Sequence, residues 1–146
     1  MRRYRHGELR SERSFTVIPA VGDLAIFAGC GRAQLALVES LLTAILLPAG
    51  AELIRAGVPA REFAVIADGE VAVTDAGGHE VAVLGAGEIV GELGLLRDDI
   101  TGADVTTLTP VVAYVGNRRE FASLLGVAPA IDHRVTRTAL SRLRAS

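Results

Sequence analysis

Apolar and polar positions follow two different rhythms along this chain, and the change between them predicts its elements. Between Asp23 and Leu42 the spacing is helical. Leu24 and Phe27 form a short first turn, Gly29 and Gly31 interrupt it, and Leu35, Val38 and Leu42 then recur at helical steps. Two short helices are expected there. From Thr43 to Val115 runs of Val, Ile and Ala are cut at short intervals by Gly and Pro, the pattern of antiparallel strands in a roll or sandwich. TAILLP (43–48), AELIR (51–55) and EFAVIADG (62–69) are the first three strands. The third stops at Asp68-Gly69, a tight-turn pair, because glycine accepts a positive φ without steric cost. Glu70 to Thr74 and EVAVLGAG (80–87) form a hairpin whose return, with His79 as a solvated tip residue, is a loop of four or five residues. ELGLLRDD (92–99) interrupts the strands as one or two helical turns, and ADVTTL and VVAYV resume them.

The helical rhythm returns at Asn117 to Leu125 and at Pro129 to Arg144. Asn117 is a suitable N-cap, and Glu120 three residues later can complete a capping box. Pro129 suits a first helical turn, where a missing N–H costs nothing. The last helix places Ile131, Val135 and Leu143 on a narrow apolar face that can pack on the roll or on a second copy. The predicted fold is mainly β with flanking helices (α+β). It is an antiparallel β-roll or jelly roll with N-terminal helices, a short inserted helix and two C-terminal helices. The expected organisation is a basic, flexible arm over 1–16, the roll with its N-terminal helices and first C-terminal helix over 17–126, and a C-terminal helix over 127–146.

Composition narrows the function classes. A chain of 146 residues can close one hydrophobic core unaided. All 15 basic residues are Arg, and the formal charge of −2 argues against a nucleic-acid-binding domain. The arm is the exception: Arg2, Arg3, Arg5, Arg10 and Arg13 face only Glu8 and Glu12, giving a solvated terminus able to touch an anionic partner. Neither a signal peptide nor a membrane-spanning apolar run is present, and the single Cys30 forms no internal disulfide; a cytoplasmic location is expected. Cys30 reads as a small packed hydrophobe. His6, His79 and His133 are far apart, and no metal-ligand spacing, catalytic triad or phosphate-cradling loop is found, so no catalytic residue, metal or cofactor is expected.

The order of elements, with LPAGAELIRAG (47–57), FAVIADGEVAV (63–73) and LGAGEIVGELGLL (84–96), resembles the cyclic nucleotide-binding domain family. The similarity covers roughly Leu24 to Leu143. Gly50, Gly57, Gly69, Gly87 and Gly91 occur in the family's order and spacing. The resemblance implies that the inserted helix opens a phosphate cassette. The backbone N–H groups around Gly91, Glu92 and Leu93 would hold a cyclic phosphate, and Glu92 would accept a hydrogen bond from a ribose hydroxyl. A helix N-terminus attracts anions through its unpaired donors and dipole. The resemblance also implies an arginine ten positions after Gly91 to neutralise the phosphate; Thr101 stands there, followed by Gly102 and Ala103. Glu92, Asp98, Asp99 and Asp104 make the loop acidic as well. Arg97 is the one nearby residue able to swing in as a compensating charge, unless it pairs with Asp98 or Asp99 in solvent.

Two functions follow as expectations. One is a non-enzymatic regulatory module with weak or lost cyclic nucleotide affinity, acting through a protein partner or a homodimer formed by the C-terminal helices. The other is a working sensor of cAMP, cGMP or a related, more neutral ligand, which transmits binding through those helices. In bacterial regulators of this family the roll leads into a DNA-binding helix-turn-helix; none is expected in this chain, and its start favours a stand-alone form.

Overall fold

Two neighbouring strands of one sheet are apolar at nearly every position, and this decides the layering. In the computed structural model, which describes residues 2–4 and 18–145, Phe63, Val65 and Ala67 of one strand face a core shared with the helices, while Ala64 and Ile66 face a second core. Val112 and Tyr114 of the neighbouring strand join the first core, and Val111, Ala113 and Val115 the second. A sheet covered on both faces must be apolar on both, since successive side chains alternate sides.

In chain order the elements are β1 (Arg2–Tyr4), two short 3-10 turns (Val21–Asp23 and Ala25–Phe27), α1 (Arg32–Leu41), β2 (Thr43–Leu47), β3 (Glu52–Ile54), β4 (Glu62–Asp68), β5 (Val71–Asp75), β6 (Glu80–Leu84), β7 (Ile89–Val90), α2 (Glu92–Arg97), β8 (Ala103–Thr107), β9 (Val111–Asn117), α3 (Arg118–Leu125) and α4 (Pro129–Ala145). One sheet has the order β1-β2-β9-β4-β7 and the other β3-β8-β5-β6, all pairs antiparallel. The roll and its flanking helices are therefore those expected. The first predicted helix of the Asp23–Leu42 region is a pair of 3-10 turns, since Gly29 and Gly31 leave no room for a longer one. At the other end, Arg2–Tyr4 pairs with Leu46 to Ala44 as an edge strand; the rest of the arm lies outside the described residues.

The N-terminal segment is tied to the central sheet by Tyr114, whose hydroxyl donates to the Pro19 carbonyl at 2.7 Å. Burial pushes this phenol up to about 12, with the Glu39 carboxylate adding to the effect. At the start of α3 the capping box is present: Asn117 Oδ1 accepts from the Glu120 amide at 2.8 Å, and Glu120 Oε1 accepts from the Asn117 amide at 2.8 Å. Asn117→Ala removes one half of it and is expected to lower unfolding free energy by about 1 kcal/mol, read as a shifted urea midpoint at unchanged slope.

The last helix corrects one expectation. Ile131, Val135 and Ala139 are its buried apolar residues, and Leu143 is 42% exposed. Steps of four from Ile131 run ahead of a 3.6-residue repeat, so the inward position after Ala139 falls to Arg142.

Candidate functional site

Gly91 turns the chain from β7 into α2 with φ +86°, and the other four glycines that carry the family spacing, Gly50, Gly57, Gly69 and Gly87, are also left-handed. A Cβ at Gly91 would lie 2.7 Å from the Glu62 carbonyl and 3.2 Å from Phe63 Cα, so only glycine lets the turn press against β4. The turn drives the next side chain inward. Glu92 is 1% exposed, the one buried carboxylate among the described residues.

A buried carboxylate must have donors, and Glu92 has two. Its Oε2 accepts from the Leu93 amide at 2.9 Å, and its Oε1 is paired with the Arg142 guanidinium from α4. The Leu93 amide, expected to face a phosphate, is thus engaged by the side chain before it. Burial lowers the pKa of Arg142 from the ordinary arginine value, and the Glu88 carboxylate opposes that shift. Arg142 also lines an outer cleft of about 220 Å³ together with Ala25, Ile26, Glu88, Arg134 and Thr138. Arg134 is already engaged there, donating to the Ile26 and Ala28 carbonyls at 3.2 and 2.6 Å.

Of the expected site residues, Thr101 is brought beside the short helix that Gly91 opens. A Cβ at Gly94 would lie 3.9 Å from both Cα and Oγ1 of Thr101, so Thr101 stands beside the first turn of α2. Its backbone is pinned on both sides, with its amide donating to the Val58 carbonyl at 2.9 Å and its carbonyl accepting from the Gly57 amide at 2.8 Å. Gly102 opens onto free space, and Ala103 begins β8 opposite Asp75. Arg97 instead pairs with Asp99 at 3.6 Å, both side chains about half exposed.

The acidic character read from the sequence is largely compensated in space. Arg118 Nη1 lies 3.0 Å from Asp98, and its Nη2 donates to the Ala60 carbonyl at 2.7 Å. Asp104 accepts from the Ala56 amide at 2.7 Å. Arg118 and Arg142 are the residues that sequence reasoning missed. For Arg142 the available signal was its place on the inward face of α4, three residues after Ala139. Among the described residues no group of three or more His, Cys, Asp or Glu is placed to hold a metal ion, and no helix is long and apolar enough to cross a membrane.

Comparison with known proteins is consistent with this geometry. Residues 44–126 match the model of the cyclic nucleotide-binding domain. Acetyltransferase Pat of Mycolicibacterium smegmatis is 36% identical over 125 residues, which are 84% of this chain and 37% of that protein. The chain therefore spans little more than a third of that relative. The regulatory subunit of a cAMP-independent protein kinase A from Trypanosoma brucei superposes with a TM-score of 0.74 at 30% identity, covering 83% of this chain and 43% of the other. A variant of that subunit with Glu→Ala, Thr→Arg and Val→Ala replacements, bound to cAMP in its A site, gives 0.66 at 26% identity over 82% of this chain and 49% of that one. Thermus thermophilus catabolite activator protein gives 0.71 at 25% identity, covering 82% and 58%.

Proposed function

This chain belongs to the cyclic nucleotide-binding domain family, and we propose that it is a regulatory module of that family whose phosphate site is weakened, so that it acts chiefly through protein contacts. The observation that carries this reading is Thr101. Where the family resemblance calls for a phosphate-neutralising arginine, the chain has a hydroxyl, and the nearby guanidinium groups of Arg97, Arg118 and Arg142 are each held by a carboxylate. Loss of one buried charge-assisted contact weakens an anion by about two to three powers of ten.

The trypanosome subunit supports the same reading. It is described as cAMP-independent, and its cAMP-bound variant replaces glutamate, threonine and valine at positions separated by seven and one residues. Gly94, Thr101 and Gly102 have the same separations here. By that spacing Thr101 corresponds to the threonine replaced by arginine there, and Gly94 and Gly102 carry no side chains where glutamate and valine were cut back to alanine.

In this reading the segment regulates and does not itself catalyse. Its partner surface is the C-terminal pair of helices, where Leu140 of α4 is 48% exposed, offered to another protein or to a second copy. Titration calorimetry tests the ligand half. Neither cAMP nor cGMP is expected to saturate the chain below about 100 µM, and saturation at a few micromolar overturns the weakened-site reading. The sensor reading retains one observation in its favour, the direct contact of α4 with the cassette through Arg142 and Glu92.

A further inference from the structure

Charge is unevenly divided along the described chain. Residues 18–117, the roll with its N-terminal helices, carry 13 carboxylates against four arginines, whereas 118–145, the two C-terminal helices, carry six arginines against two carboxylates. A basic helical pair thus stands beside an acidic roll. Three of the six helical arginines are spent within the chain: Arg118 on Asp98, Arg142 on Glu92, and Arg134 on two carbonyls. Arg137 and Arg144 of α4 make no hydrogen bond or ion pair with any described residue.

These two share one face. With Ile131, Val135 and Ala139 turned inward, a helix of 3.6 residues per turn points His133, Arg137, Leu140 and Arg144 away from the core, at steps of four, three and four. All four are exposed, Leu140 at 48%. The face is therefore an apolar side chain set between two cations about 10 Å apart along the axis. The one carboxylate of α4, Asp132, lies off this stripe and accepts from the Thr136 hydroxyl at 3.0 Å.

That pattern selects against a second copy as the occupant. Two such helices paired antiparallel about Leu140 would set Arg137 against Arg144 of the second copy, and paired parallel they would set each arginine against its own counterpart. Either two-fold arrangement repeats a like-charge contact. Nucleic acid needs a wide basic surface, which the acidic roll interrupts, and a membrane needs a broad apolar face, where α4 offers Leu140 and Leu143. We infer that the outer face of α4 docks an acidic helix of a partner protein, whose carboxylates seven residues apart meet Arg137 and Arg144 and whose apolar side chain between them covers Leu140. Seven residues bring a helix back to nearly the same face, so one partner helix can satisfy both charges at once. The inference rests on the functional reading above only in taking the C-terminal helices as the partner surface; Thr101 plays no part in it.

The probe is a synthetic alanine-rich helix of about 20 residues, with two glutamates seven residues apart and a leucine between them, titrated by fluorescence anisotropy. Arg137→Glu combined with Arg144→Glu is expected to weaken its binding about tenfold, and binding should return when lysines replace the peptide's glutamates. Leu140→Ser should also weaken it, at unchanged thermal unfolding. Arg32→Glu combined with Arg61→Glu makes the same change of net charge at exposed sites outside α3 and α4, and at physiological salt should alter binding by less than about twofold. An equal loss in that control would reduce the attraction to net charge and overturn the proposal, as would no binding to the parent chain at millimolar peptide. A dimer of the parent chain that Leu140→Ser dissolves overturns it in favour of a second copy. Displacement of the peptide by phosphatidylserine vesicles or duplex DNA overturns it in favour of those anions. A chain that saturates with cAMP at a few micromolar and still binds the acidic helix loses the weakened-site reading and keeps this one.

Discussion

Thr101→Arg is expected to raise cAMP affinity by about two to three powers of ten, the largest functional change that one substitution should produce in this chain. The geometry favours it. Thr101 is fixed through its own amide and carbonyl, so the backbone that must carry the new side chain is already set. Gly94 stands beside it without a side chain, with Ala60 Cβ 2.8 Å from where a Cβ there would lie, and the open space next to Thr101 is on the side of Gly102, where an added Cβ meets nothing within 4 Å. The nearest acids do not compete strongly for the added guanidinium: Glu92 is held by Arg142, Asp98 by Arg118 and Asp99 by Arg97. The gain should depend on ligand charge. Adenosine, which has no phosphate, should bind parent and variant alike, and the cAMP gain should shrink as salt rises, because it comes from the attraction between opposite charges. Calorimetry with both ligands at two salt concentrations reads this directly. Equal gains for adenosine and cAMP would assign the effect to packing, and no gain at all would mean that the pocket differs from the family's at further positions.

The features legible in the sequence were those set by local chemistry. The apolar stretches FAVIA and VVAYV declared strands, which the structure buries on both faces. Asn117 and Glu120 announced the start of α3, and Gly91 to Ala103 announced a cassette together with its missing charge. Contacts between distant segments were not legible. That Arg142 reaches Glu92, or that Arg118 spans from Asp98 to the Ala60 carbonyl, depends on how α3 and α4 lie across the roll. No spacing within either helix encodes that. The acidic loop shows the consequence: counted along the chain it repels anions, whereas in space most of its carboxylates have a cationic or amide partner. The exposed position of Leu143 has a similar origin, since steps of four along a helix drift out of phase with its 3.6-residue repeat.

The second large effect is on stability. Gly91→Ala is expected to destabilise the fold by about 2–5 kcal/mol, the sum of backbone strain at a left-handed position and overpacking against a rigid neighbour. The φ of +86° is unfavourable for alanine, and the added Cβ would meet the Glu62 carbonyl at 2.7 Å, Ile54 Cδ1 at 2.9 Å and Phe63 Cα at 3.2 Å. Ile54 can rotate away, but the other two atoms are backbone of β4, which is paired on both sides by β7 and β9. Relief must therefore come from the turn itself, through a shift of Glu92 that strains its pairing with Arg142. For a domain whose total stability is of the usual order of about 5–15 kcal/mol, the melting temperature should fall by about 10 °C. Gly102→Ala is the matched control at the other end of the cassette. A Cβ there meets nothing within 4 Å and the backbone is not left-handed, so thermal unfolding should be unchanged within about 0.5 kcal/mol. If the two substitutions proved equally mild, the close approach of Gly91 to β4 would not be what shapes the cassette. If Gly91→Ala alone unfolds the chain early while Thr101→Arg does not, the glycine serves the architecture and the threonine the ligand, within one segment of the sequence.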